Sequence, residues 1–93
     1  MLKNQINYFK SNDWKIKGLE KSAKKTFTFE DFKSAFSWMT YIAIEAEKTD
    51  HHPEWNNVYN KISIVLSTHD KGKLTSKDFF LAKFMDIQFE RYR

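Results

Sequence analysis

The sequence predicts an α+β fold: one domain, a four-stranded antiparallel sheet with helices packed on one face, in the order α-β-β-α-β-β-α. Three observations carry this prediction. Residues 61–68 alternate, with Ile62, Ile64 and Leu66 on one side and Ser63, Val65 and Ser67 on the other, as a half-buried strand does. Apolar residues recur at steps of four and three from Phe32 to Ala46, the spacing of a helix with one buried stripe. Strand-like runs come in two pairs, each followed by a helical segment, and paired short strands favour antiparallel hairpins.

The elements follow in order. Leu2, Ile6 and Phe9 stand at helical spacing and predict a short helix over Leu2–Lys10. Trp14-Lys15-Ile16-Lys17 alternates as a strand, and Gly18 permits a turn. Lys25-Thr26-Phe27-Thr28-Phe29 alternates again and completes a hairpin. Thr28 and Asp31 read as the N-cap and the acid three residues on that open the long helix. Its predicted stripe is Phe32, Phe36, Met39, Ala43 and Ala46, widened by Phe29, Ala35 and Ile42. Trp38 and Tyr41 fall partly outside the stripe, so a second covered face is expected. This helix should stop near Lys48, because Pro53 disfavours helical geometry at His52. Trp55–Tyr59 and Lys61–Thr68 read as the third and fourth strands. Asp70-Lys71-Gly72-Lys73 turns the chain. Thr75 with Asp78 repeats the capping pattern, and a last helix runs towards Arg91.

Composition narrows the function. A chain of 93 residues is expected to be one domain spanning 1–93, and alone it buries only roughly 60–65% of its unfolded surface. Aromatic residues make up 17%, which points to an aromatic core, to partner subunits, or to both. The absence of cysteine excludes disulfides and thiolate metal sites. No signal-peptide pattern or apolar run of membrane-spanning length appears, so a soluble, cytoplasmic protein is expected, with no membrane partner. The formal charge is +4. Lys21, Lys24 and Lys25 form the densest basic cluster and read as a guarded, solvated strand edge. No nucleic-acid motif accompanies them, so no direct nucleic-acid partner is expected.

All three histidines lie between His51 and His69. Two occupy the loop after the long helix and the third ends the surest strand. If Ile62, Ile64 and Leu66 face the helices, a period of two puts His69 on the open sheet face. The three imidazoles then converge at one end of that face. Histidine exchanges protons near neutrality, and Glu47, Asp50 and Asp70 stand close by in sequence to orient it. Trp14 and Trp55 offer a flat apolar wall that suits a heteroaromatic ligand. Three competing readings stay open: a plain polar loop at His51-His52, a three-histidine zinc site, and core or interface roles for the two tryptophans.

At these residues the sequence resembles the pterin-4a-carbinolamine dehydratases. The resemblance rests on Glu47-Lys48-Thr49-Asp50-His51-His52-Pro53-Glu54-Trp55, on Asn57-Val58-Tyr59, and on Leu66-Ser67-Thr68-His69-Asp70. It continues through Leu74-Thr75 and Asp78, and more weakly upstream to Trp14; Lys73 departs from it where bacterial members often carry glycine. It implies a hydro-lyase that converts 4a-hydroxytetrahydropterin to quinonoid dihydropterin plus water. No metal and no organic cofactor is implied. His51 and His69 would be the acid/base pair, with His52 chiefly a pterin binder. Asp50, Thr68 and Glu47 would bind or orient, and Trp14 would wall the pocket. The resemblance also implies a homodimer or homotetramer and a functional link to an aromatic amino acid hydroxylase. Its animal members bind a transcription factor as dimerisation cofactors, so an interaction module with secondary dehydratase activity is the alternative. Trp38 and Tyr41 are the candidate helix residues for that contact, and the favoured reading is that they form the protein's own oligomer interface.

Overall fold

The computed structural model describes residues 1–93. Three helices, α1 (Lys3–Ser11), α2 (Phe32–Lys48) and α3 (Ser76–Tyr92), accompany four strands: β1 (Lys15–Lys17), β2 (Ser22–Thr28), β3 (Glu54–Val58) and β4 (Lys61–Leu66). The strands form one antiparallel sheet in the order β1-β2-β4-β3. This is the predicted α-β-β-α-β-β-α architecture.

Strand parity sorts the two sheet faces. Ile62, Ile64 and Leu66 are buried and pair in register with Phe27, Lys25 and Ala23. Those residues, with Ile16, Trp55 and Asn57 in the same cross-strand rows, face the helices. Lys25 is therefore not a solvated edge lysine. It points inward, and its ammonium binds Asp86 of α3 at 2.7 Å and lies over the Phe27 ring at 4.7 Å. Asp86 also accepts from Tyr8 Oη at 2.7 Å and Trp14 Nε1 at 3.0 Å. One carboxylate thus ties α1, the start of β1, β2 and α3 together. Burial, assisted by Asp86, pushes the Tyr8 phenol above its ordinary range.

The start of α2 differs from the expected cap. Asp31, not Thr28, is the N-cap, and its carboxylate accepts from the Ser34 amide at 2.8 Å. That bond holds the Asp31 carboxyl below the usual carboxylate range. The buried face of α2 differs too. It is Ala35, Trp38, Ile42 and Ala46. Phe32 and Phe36 remain 47% and 52% exposed. The physical reason is that α2 carries two apolar stripes, and the sheet takes the one that packs best. Small Ala35 and Ala46 allow close approach, while Trp38 fills the centre against Phe27 and Phe29. Its indole N–H is satisfied by the Met85 carbonyl at 3.2 Å. Trp38, fully buried, is thus unavailable to a partner helix, whereas Tyr41 is 40% exposed and stacks on Phe84.

Candidate active site

Helix α2 ends in a backbone turn that sets the direction of the histidine loop. The His51 amide donates to the Ala46 carbonyl at 3.1 Å and the Asp50 amide to Glu47 at 3.2 Å. This bond pair is the Schellman C-terminal motif. It requires a left-handed residue, and Asp50 takes that place with φ 53°. Glycine is the usual occupant, and aspartate tolerates the conformation better than most residues. The turn makes the next two side chains diverge. His51 is directed inward towards α3. His52 is directed outward to the exposed Glu47, Nε2 to Oε1 at 2.9 Å.

The centre of the site is Asp78, in the first turn of α3 and fully buried. Its Oδ1 lies 2.6 Å from His51 Nε2. Its Oδ2 accepts from Thr68 Oγ1 at 2.7 Å and from the Thr75 amide at 2.9 Å. Thr68 Oγ1 is also 2.7 Å from Thr75 Oγ1, which accepts from the Lys77 amide. Since Thr68 gives its one proton to Asp78, Thr75 donates to Thr68, and the chain of donors ends on the carboxylate. A carboxylate offers only acceptors, so Nε2 of His51 carries a proton toward it. Nδ1 of the neutral ring is then left to exchange protons with a ligand. The 2.6 Å separation fits a charge-assisted bond.

Strand β4 stops at Leu66, before His69, so strand parity does not set the position of His69 as expected. Thr68 instead forms an isolated bridge with Lys73, and His69 opens a short 3-10 turn, His69–Lys71, closed by left-handed Gly72 at φ 66°. His69 is exposed. The peptide bond to Thr68 still couples it to the Asp78 centre, so one buried carboxylate braces both histidine-bearing loops. A pocket of about 150 Å³, with Phe80, Leu81 and Lys77 among its walls, opens on His51. A shallower depression of about 310 Å³ passes Thr68, Asp70 and Thr75. No three His, Asp or Glu side chains are grouped closely enough to hold a metal ion.

The expected site residues therefore separate. His51, His52, Glu47 and Asp50 share one loop and helix end, and Thr68 is joined to His51 through Asp78. Thr68 is 5% exposed with its hydroxyl already engaged, so it acts as a brace in this structure rather than presenting itself to a ligand. Trp14 is a core residue, 3% exposed, edge-on to Phe9 and Phe27, with its indole N–H on Asp86. It belongs to the Tyr8–Lys25–Asp86 cluster and forms no wall of the pocket at His51. Sequence reasoning left Asp78 and Thr75 out of the site because the capping pattern already accounted for both. The partner of Asp78, His51, is 27 positions away in the chain, and no local spacing links them.

Comparisons with known proteins show the family. Residues 2–88 match the family model for pterin 4 alpha carbinolamine dehydratase. A relative from Rhodospirillum rubrum, provisionally named as such a dehydratase, is 49% identical over 74 residues, covering 80% of this chain and 77% of its own. One from Prochlorococcus marinus, named in the same way, is 48% identical over 86 residues, covering 90% and 88%. A Brucella melitensis crystal structure, described as a transcriptional coactivator/pterin dehydratase, superposes with TM-score 0.83 at 32% identity over 94% of this chain and 95% of that one. A pterin dehydratase-like RuBisCO assembly factor of the alpha-carboxysome, 20% identical with TM-score 0.69 over 81% and 87%, shares the fold. The chain belongs to the pterin-4a-carbinolamine dehydratase family.

Proposed function

We propose that this protein removes water from 4a-hydroxytetrahydropterin to give quinonoid dihydropterin, by histidine general acid/base catalysis. The observation that carries the reading is the buried Asp78–His51 pair at 2.6 Å beside a pocket. It holds one imidazole in a defined tautomer, while His52 and His69 are exposed.

The chemistry asks for two proton transfers. The 4a-hydroxyl is a poor leaving group, so an acid protonates it while the lone pair of the adjacent ring nitrogen expels it as water. A base then takes the proton from that nitrogen. Each transfer typically contributes ~10²–10⁴-fold. His51 and His69 take the acid and base parts, and His52, held by Glu47, binds the pterin. Asp50 adds a binding carboxylate. The substrate supplies its own electron push, so no cofactor or metal is required. The product then passes to a reductase, and an aromatic amino acid hydroxylase is the natural source of the substrate.

The test is decay of the 4a-carbinolamine absorbance produced by a phenylalanine hydroxylase. Added protein should accelerate it, and the His51→Ala, His69→Ala double variant should not. Equal rates for the two refute the assignment. Prolonged chelation should leave the rate unchanged, whereas loss restored by zinc favours a metal site.

The exposed stripe on α2 supports a second property, self-association. Phe32, Phe36 and Ile44 lie 47–57% exposed on that helix, in a chain too small to bury much surface alone. A second copy of the chain is the simplest cover, giving a homodimer or homotetramer. Phe36→Glu should shift the mass measured by light scattering towards the monomer. An unchanged mass moves the interface elsewhere, and a wild-type monomer leaves the stripe free for a foreign helix of the coactivator kind.

A further inference from the structure

The excess positive charge of this protein is local. Residues 10–25 contain six lysines and two acids, a formal +4 equal to that of the whole chain, so the remaining residues balance. Lys25 is taken up internally by Asp86. Lys15, Lys17, Lys21 and Lys24 are exposed, and none has a carboxylate within ion-pair distance.

The sheet register places three of these lysines on one surface. Ile16 and Ala23 face the helices, so Lys15, Lys17, Ser22, Lys24 and Thr26 share the open face. Lys15 and Lys24 are direct cross-strand partners. Like charges so placed destabilise a sheet. Protection of the sheet edge explains lysines on β1, but it does not explain Lys24 on the inner strand opposite one of them. A groove of about 360 Å³ runs between Lys15, Lys17, Lys24 and Thr26, with Asp13 at its margin. The hairpin is also held rigid. The Leu74 amide donates to the Glu20 carbonyl at 2.9 Å, and Ser67 Oγ donates to the Lys21 carbonyl at 2.8 Å. A pre-ordered array loses less entropy on binding.

We propose that the β1–β2 hairpin binds the phosphodiester backbone of nucleic acid without reading its sequence. Lysines supply the charge and the Ser22 and Thr26 hydroxyls supply donors, the usual partners of phosphate oxygens. No aromatic side chain lies on the open face of the hairpin, so bases have nothing to stack on. A lipid surface fits less well, because Leu19 is the one exposed apolar side chain of the hairpin, and interfacial binding needs an apolar face. The sequence carries no nucleic-acid motif because the array exists only once two strands are paired.

The experiment is fluorescence anisotropy of labelled DNA and RNA duplexes, titrated with the intact protein across a salt series. Four phosphate contacts predict micromolar binding at low salt and a log–log salt slope of about −3.6 on duplex DNA. Lys15→Gln, Lys17→Gln, Lys24→Gln together should reduce the slope to about −1 and weaken low-salt binding at least about tenfold. The same variant should keep or slightly raise Tm, since it removes the opposed Lys15–Lys24 pair. A charge-matched variant, Lys3→Gln, Lys33→Gln, Lys83→Gln, should retain the wild-type slope. Absence of binding at ~100 μM protein and low salt overturns the proposal. So does equal loss in the charge-matched variant, or binding to phosphatidylglycerol vesicles as strong as to duplexes.

Discussion

Replacing Asp78 by asparagine should separate the tautomer of His51 from its mere presence. The Oδ2 position receives two donors, Thr68 O–H and Thr75 N–H, so the oxygen of the introduced amide settles there. The amide nitrogen then faces His51 Nε2 across the 2.6 Å contact. Two donors cannot share that contact, so the proton of the imidazole must move to Nδ1. The atom that should exchange protons with the pterin is then already protonated in the neutral ring. In a Ser-His-Asp triad the equivalent change costs about 10⁴ in rate. With a second histidine present, a fall in kcat of about 10²–10⁴ is expected here. The contacts persist but lose the charge of the acceptor, and the difference between charged and neutral hydrogen bonds is about 1 kcal/mol, which at ~4–8 °C per kcal/mol lowers Tm by about 5 °C. Carbinolamine decay measures kcat, calorimetry measures Tm, and imidazole nitrogen shifts in an NMR spectrum report the tautomer. A folded variant with wild-type kcat and an inverted tautomer refutes the role given to Asp78.

Three further outcomes follow from the packing. Trp38→Ala should cost about 3–5 kcal/mol in urea unfolding, while Phe36→Ala costs far less in the isolated subunit; equal losses contradict the assigned α2 face. In alkaline titration followed at 295 nm, Tyr8 should ionise later than an ordinary tyrosine, because its folded pKa is raised. The fold favours the neutral phenol, so that contribution to stability is complete below about pH 10 and is lost as pH rises further. Asp86→Asn should bring the Tyr8 transition down only part of the way, since burial is the largest cause; full return to the ordinary value means the phenol is not buried as described.

The parts of this fold that were legible in the sequence are those governed by period. The alternation of Ile62, Ile64 and Leu66 is borne out by their burial against the helices. The element order follows from where the apolar runs start and stop. Period does not choose between two apolar stripes on one helix, and it favours Phe32 and Phe36 over Trp38. Packing decides otherwise, through the small residues that let α2 approach the sheet. Local pattern also misplaces Lys25, because a lysine inside a strand looks solvated until Asp86 arrives from α3, 61 residues later. The site divides in the same way. The histidines are visible as residue types of the right chemistry. Their orientation is not, since it depends on the left-handed turn at Asp50 and on a carboxylate distant in sequence.

Asp78 shows why stability and chemistry are hard to separate in so small a domain. Its carboxylate caps α3 at the Thr75 amide, where the positive end of the helix dipole favours an anion. With its other oxygen it orders His51. A buried carboxylate is tolerated only when its acceptor positions are filled, and here the fillers are a helix end, a hydroxyl from the His69 loop and the imidazole itself. Removing His51 therefore leaves Asp78 short of a partner. His51→Ala should lower Tm as well as rate, whereas His52→Ala, which frees only the exposed Glu47, should change ligand affinity with little effect on Tm.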